Sequence, residues 1–101
     1  MSGGYLLSDP LILPGELKLE SVYVIKELLE AGAQMKAEII EVAEEDYMKI
    51  PRQSLISYAE LLSVFTAWRL GLTCISNEPA FHREAARYNV KCLYAKELNK
   101  C

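Results

Sequence analysis

Apolar residues recur along the chain in two rhythms, and the switching between them outlines an architecture. Over "SYAELLSVFTAWRLG" (57–71), Leu61, Val64, Phe65 and Trp68 fall at i, i+3, i+4 and i+7, and Gly71 ends the run. This is the repeat of one face of a helix with a glycine stop. "PAFHREAARYN" (79–89) predicts a second helix, with Pro79 at its first position and Asn89 at its end. "ELKLESVYVIKELLEAG" (16–32) predicts a third, with Val22, Ile25, Leu28 and Leu29 near one face and Gly32 as its stop. Its "VYVI" core is rich in β-branched residues and pulls against that assignment. "AEEDYMKI" (43–50) predicts a short helix ending before Pro51. Short apolar runs separate these segments. "YLLSDPLIL" reads as a strand broken near Pro10, followed by the Pro14-Gly15 break. "AEIIEV" (37–42), "LTCIS" (72–76) and "VKCLY" (90–94) complete the strands.

The order is therefore β-α-β-α-α-β-α-β. That alternation predicts an α/β fold with a small parallel or mostly parallel sheet flanked by helices. Residues 1–94 read as a single domain, and 95–101 ("AKELNKC") as a polar C-terminal tail.

The placement of the acids changes this from an architecture to a chemistry. Helices in such folds run antiparallel to the strands, so helix starts and strand ends share one rim. Asp9 follows the first strand, Glu44, Glu45 and Asp46 follow the second, and Glu78 follows the third. Glu60 sits in the first turn of the helix before that third strand. The helix from Glu60 to Leu70 travels about 15 Å, and the strand from Leu72 to Asn77 returns about 16 Å. Glu60 and Glu78 should reach the same rim. Carboxylates gathered there repel one another unless a cation, a helix N-terminus or protonation offsets the repulsion. Oxygen-only ligation suits Mg²⁺ or Mn²⁺, and such an ion supports phosphodiester hydrolysis.

Each acid also has a local explanation. Ser57 and Glu60 form S-x-x-E, a capping box. Glu78 precedes Pro79 at a helix start, where the helix dipole favours a negative charge. Glu44, Glu45 and Asp46 form an acidic first turn, and Asp9 before Pro10 is a turn residue. Only their meeting on one edge favours a site.

The segment 57–94, "SYAELLSVFTAWRLGLTCISNEPAFHREAARYNVKCLY", resembles the C-terminal half of PIN domains, the fold of VapC-type toxins and related ribonucleases. Glu60 stands at that family's helix-start Asp, Ala67 at its alanine and Gly71 at its glycine. Ser76-Asn77-Glu78 stands at its T-x-D motif, and Ala85-Ala86 and Asn89-Val90 follow in step. The resemblance implies a Mg²⁺- or Mn²⁺-dependent endoribonuclease acting on RNA. Asp9, Glu45, Glu60 and Glu78 would be the metal ligands, and Ser76 would support the site through its hydroxyl. Two alternatives stay open in the first half: Glu16 in place of Asp9, and Glu44 in place of Glu45. The sequence also departs from the family. Glu stands where Asp is typical at both well-matched positions, and the chain is short between Asp46 and Ser57. A methylene's displacement damages a site that needs tight positioning. The alternative is a catalytically inactive PIN-like module, an oligomerising or protein-binding subunit such as a homodimer.

Composition narrows the setting. The 101 residues are 51% hydrophobic and 25% charged, as in ordinary globular chains. No apolar run approaches the roughly 20 residues of a membrane helix, and the N-terminus lacks a secretory pattern. The expectation is a cytoplasmic protein without a membrane segment. The net charge of −3 conceals an asymmetry: three Lys/Arg against ten Asp/Glu in residues 1–47, and eight against four in 48–101. In that basic half, Arg52, Arg69, Arg83 and Arg87 are candidates to grip an RNA backbone. Phe65 and Trp68 read as core or interface residues, and His82 as a surface helical residue. Cys74, Cys92 and Cys101 offer no C-x-x-C pair and read as buried or unpaired thiols.

Overall fold

Five short strands form one sheet in the order β3-β2-β1-β4-β5, and every neighbouring pair is parallel. They are β1 (Tyr5–Leu7), β2 (Tyr23–Ile25), β3 (Glu38–Ile40), β4 (Thr73–Ile75) and β5 (Cys92–Leu93). The helices are α1 (Lys26–Glu30), α2 (Glu44–Tyr47), α3 (Tyr58–Leu70), α4 (Pro79–Arg87) and α5 (Ala95–Leu98). The computed structural model describes residues 4–13, 15, 17, 22–33, 37–51 and 53–98. Glu16, Arg52 and Cys101, named above, lie outside the described residues.

The expected α/β architecture is present, with one strand more than the pattern predicts. Tyr23–Ile25 of "VYVI" form β2, and α1 begins directly after it, so among the described residues of 16–32 the helix is Lys26–Glu30. The reason is burial on both faces. Val24 and Ile25 are fully buried beside β1, and an interior parallel strand demands a continuous apolar run. The central strand β1 obeys the same rule: Leu6 and Leu7 are fully buried and register with Cys74 and Ile75 of β4.

Helix α3 is the organising element. Ser57 Oγ accepts from the Glu60 amide at 3.3 Å, and the Ser57 amide donates to Glu60 Oε1 at 3.1 Å, completing a capping box. Nine consecutive residues, Ala59 to Ala67, are buried, because α3 packs against β1, β2 and β4 and also against α1, α2 and α4. A helix enclosed on all sides need not be strongly amphipathic. Gly71 closes it in the left-handed region (φ 69°) and turns the chain into β4. Of the four residues on the expected apolar face, Leu61, Val64 and Phe65 are buried, whereas Trp68 is 57% exposed under the Lys49 ammonium, 4.4 Å from the ring centroid.

Helix α4 turns Phe81, Glu84 and Ala85 inward, and Asn89 follows it with a positive φ of 58°, which asparagine tolerates better than most residues. Residues 95–98 are not simply a polar tail. They form α5, Ala95 is buried, and its amide donates to Asn77 Oδ1 at 3.0 Å.

Leu62→Ala should destabilise the fold by about 2–5 kcal/mol, the cost of a cavity in an enclosed core. Trp68→Ala on the same helix should cost well under half as much. Urea denaturation of both variants checks this, and equal losses would contradict the described burial.

Candidate functional site

In this sheet the chain moves from β1 outward to β2 and β3, then returns to pair β4 with the other side of β1. The strand order reverses at β1, and open α/β sheets bind ligands in the crevice at such a switch point. Asp9 lies two residues beyond β1, and Ser76, Asn77 and Glu78 follow β4 directly.

Asp9 ties the two sides together. It is only 4% exposed. Its Oδ1 accepts from the Leu11 amide at 2.9 Å, and its Oδ2 accepts from the Asn77 amide at 3.1 Å. Ser76 is fully buried, and its Oγ accepts from the Glu78 amide at 3.1 Å, which sets the turn into α4. The Ser76 carbonyl lies 2.7 Å from His82 Nε2. A carbonyl only accepts, so Nε2 carries the proton and donates. His82 is half-buried and stacked on Tyr94 at 3.9 Å between centroids, so it is a structural residue and not the surface histidine expected.

Glu78 occupies the N-cap position of α4, yet its side chain makes no capping hydrogen bond. Its carboxylate is therefore not a hydrogen-bonding cap, and the local reading rests on the dipole of α4 alone. For Glu60 the capping reading holds, and it uses one of the two carboxylate oxygens. Its Oε1 completes the capping box, while Oε2 is buried without a hydrogen-bond donor, and the residue is 7% exposed.

These two carboxyl groups adjoin. When Glu78 is protonated it donates to the Glu60 carboxylate, and this bond is the largest cause of its pKa rising from 4.5 to about 7. Burial, the Glu60 charge and the Asp9 charge push the same way. Asp9, Glu60 and Glu78 thus share one electrostatic neighbourhood at the crevice. Among the described residues, no group of three or more His, Cys, Asp or Glu is arranged to hold a metal ion. What the geometry offers is a carboxylate pair with one free buried oxygen, beside an Asp whose oxygens each accept an amide. That donor set suits Mg²⁺, which is commonly held by one or two carboxylates with waters and substrate phosphates completing its shell.

Glu45 is not brought into this cluster. Its carboxylate lies 3.9 Å from Nε of Arg69, in the last turn of α3, whereas Glu60 is in the first turn, roughly 13 Å away along the axis. The acidic turn of α2 serves packing. Asp46 is buried and accepts from Arg69 Nε at 2.9 Å, with Lys49 at 3.8 Å. Glu44 is exposed on the same turn. Asp46 and Glu45 engage Arg69, and Glu84 engages Arg87, so two of the arginines considered for RNA are already in ion pairs. Cys74 and Cys92 are free thiols, and burial pushes the Cys74 pKa up to about 12.

Two contributors escape the sequence reading. Asn77 links Asp9 to α5 through its amide and its side chain. Glu84 is a buried acid on the inner face of α4. A readable signal existed for Glu84: it follows Phe81 by three residues and precedes Ala85, on the apolar stripe.

No protein-family profile matches the sequence, and no curated protein matches it. Among solved structures, the chain is similar to a PilT N-terminus domain protein from the hyperthermophilic archaeon Sulfolobus solfataricus. The TM-score is 0.69 at 13% identity, over 93% of this chain and 89% of that one. The fold is therefore the PIN fold expected from residues 57–94, and it extends over nearly the whole chain. No described helix is long and apolar enough to cross a membrane.

The raised Glu78 pKa fixes the sign of a pH effect. Between 4.5 and about 7 the folded chain holds a proton that the unfolded chain has lost. The stabilisation from that proton is complete below 4.5 and disappears as pH rises through about 7. The melting temperature should therefore fall across this range in metal-free buffer, and Glu78→Gln should lessen the fall. An identical pH profile in wild type and Glu78→Gln would contradict the carboxyl pairing.

Proposed function

We propose that the chain is a metal-dependent nuclease of PIN type, hydrolysing RNA phosphodiesters at the crevice between β1 and β4. The observation that carries this reading is the Glu60–Glu78 pair. Two carboxyl groups are held so close that one keeps its proton to about pH 7, and Glu60 Oε2 is buried without a donor. Two carboxyl groups this close persist where a shared proton or a cation offsets their repulsion.

Glu60 and Glu78 would hold Mg²⁺ or Mn²⁺, with Asp9 adding negative charge beside them. Bound there, such an ion would polarise a phosphodiester and acidify a water for attack. The chain's own residues do the rest. The capping box fixes Glu60 to the start of α3. Ser76 Oγ, accepting from the Glu78 amide, fixes the turn that carries Glu78. Asp9 locks that turn to β1 through Asn77.

A second reading rests on two different observations. Asp9 has an amide on each oxygen, and Glu45 is elsewhere, so the acidic set is thinner than the resemblance implies. Met48, just after α2, and Tyr58 and Trp68 on α3 are exposed. In this reading the chain is an inactive PIN-like module that binds a protein partner or a second copy.

Cleavage of single-stranded RNA in Mn²⁺ separates the two. The nuclease reading predicts activity that falls at least about a hundredfold in Glu60→Gln and in Glu78→Gln, the scale on which a misplaced catalytic group costs rate. Asp9→Asn should also lower it, and Glu45→Gln should not. Activity that survives the Glu60→Gln/Glu78→Gln double substitution would overturn the assignment. Inactive wild type that sediments as a tight dimer would favour the second reading.

A further inference from the structure

Among the described residues, Glu84 is the one buried carboxylate that neither the site nor the α2 ion pairs use. It is 1% exposed, and its two oxygens face different partners. Oε1 accepts from Arg87 at 3.0 Å, and Oε2 accepts from Ser54 Oγ at 3.1 Å. Ser54 Oγ in turn accepts from the Ile56 amide at 3.2 Å. Ile56 is buried and directly precedes Ser57, whose amide donates to Glu60 Oε1. An unbroken hydrogen-bonded path therefore leads from Glu84 to the loop end that holds Glu60. The ion pair with Arg87 alone does not account for Glu84. Arg87 is exposed and on the same helix, three residues away, and such a pair is worth little. A buried carboxylate with a second oxygen turned onto a loop hydroxyl is a specific arrangement, and it costs desolvation unless both oxygens are satisfied.

We infer that Glu84 is a positioning residue: through Ser54 it seats the 54–57 loop, and so aims Glu60 at Glu78. Helix α4 then presents one carboxylate of the pair at its N-cap and sets the direction of the other from its inner face, six residues on. This inference rests on the reading of Glu60 and Glu78 as a cation-holding pair. It assigns a role to residues outside the acids that the fold resemblance points to.

The test uses the full chain with Ser54→Ala, Ser54→Thr, Glu84→Gln and, as a control, the exposed loop residue Leu55→Ala. Two readouts are taken: Mn²⁺ affinity by calorimetry, and amide hydrogen exchange by NMR without metal. Ser54→Ala and Glu84→Gln should weaken Mn²⁺ binding by roughly 10–100-fold, the usual effect of removing a support behind a ligand. They should also speed exchange at the Ile56 and Ser57 amides while leaving β1 and β4 protected. Ser54→Thr, which keeps the hydroxyl, and Leu55→Ala should resemble wild type in both readouts. Unchanged Ser57 exchange in a folded Ser54→Ala chain would overturn the inference, as would unchanged Mn²⁺ affinity. If wild type takes no Mn²⁺, the nuclease reading falls by itself, and the exchange at Ile56 and Ser57 still decides whether Glu84 seats the loop.

Discussion

Enclosure of α3 is the constraint on which the other elements depend. Three strands and three helices pack around it, and its residues are buried from Ala59 to Ala67. A helix buried over most of its length cannot leave its first amides unpaired without cost. Ser57 and Glu60 satisfy them reciprocally. That local need places a carboxylate at the top of the core, next to the crevice above β1 and β4. One oxygen of Glu60 belongs to the helix, and the other has no donor. The same side chain therefore completes the fold and leaves one oxygen over for the candidate site.

Charge is arranged differently at the two ends of α3. Near its last turn, the acids of α2 meet Arg69, so negative charge is neutralised by a partner on the chain. At the first turn, Glu60 meets Glu78 and the Asp9 charge, and a proton on Glu78 supplies the compensation. Desolvated like charges raise a pKa, while a nearby guanidinium stabilises the carboxylate. The contrast separates acids paired with a cation on the chain from acids paired with each other. It also explains why acids of similar sequence position, Glu45 and Glu78, have unlike surroundings.

Much of this was legible in the sequence because the relevant signals are local. The Ser57-x-x-Glu60 box, the Gly71 stop, Pro79 and Asn89 each mark a helix end by backbone chemistry, and each is found where the pattern places it. The β2 strand was obscured because its apolar run is fused to α1 without a break, so the helical repeat absorbed it. Burial on both faces decides for the strand, and that is a tertiary fact. Within the candidate site, Glu60 and Glu78 meet as the rim argument requires, since strand and helix lengths fix their height. Glu45 does not, because height along α3 was inferred from the strand before it, and α2 instead packs toward Arg69. Glu84 sat in plain view as an acid on an apolar stripe, but its partner Ser54 is thirty residues distant, beyond the reach of any local pattern.

The proposed function turns on one pair of side chains, Glu60 and Glu78. Carbon-13 NMR of the Glu78 side-chain carboxyl, titrated with and without Mg²⁺, observes that pair directly. The account predicts a midpoint near 7 without the ion and a marked fall when Mg²⁺ is present, because a cation takes over the role of the shared proton. A midpoint in the ordinary carboxylate range without metal, or one that Mg²⁺ leaves unmoved, would contradict it.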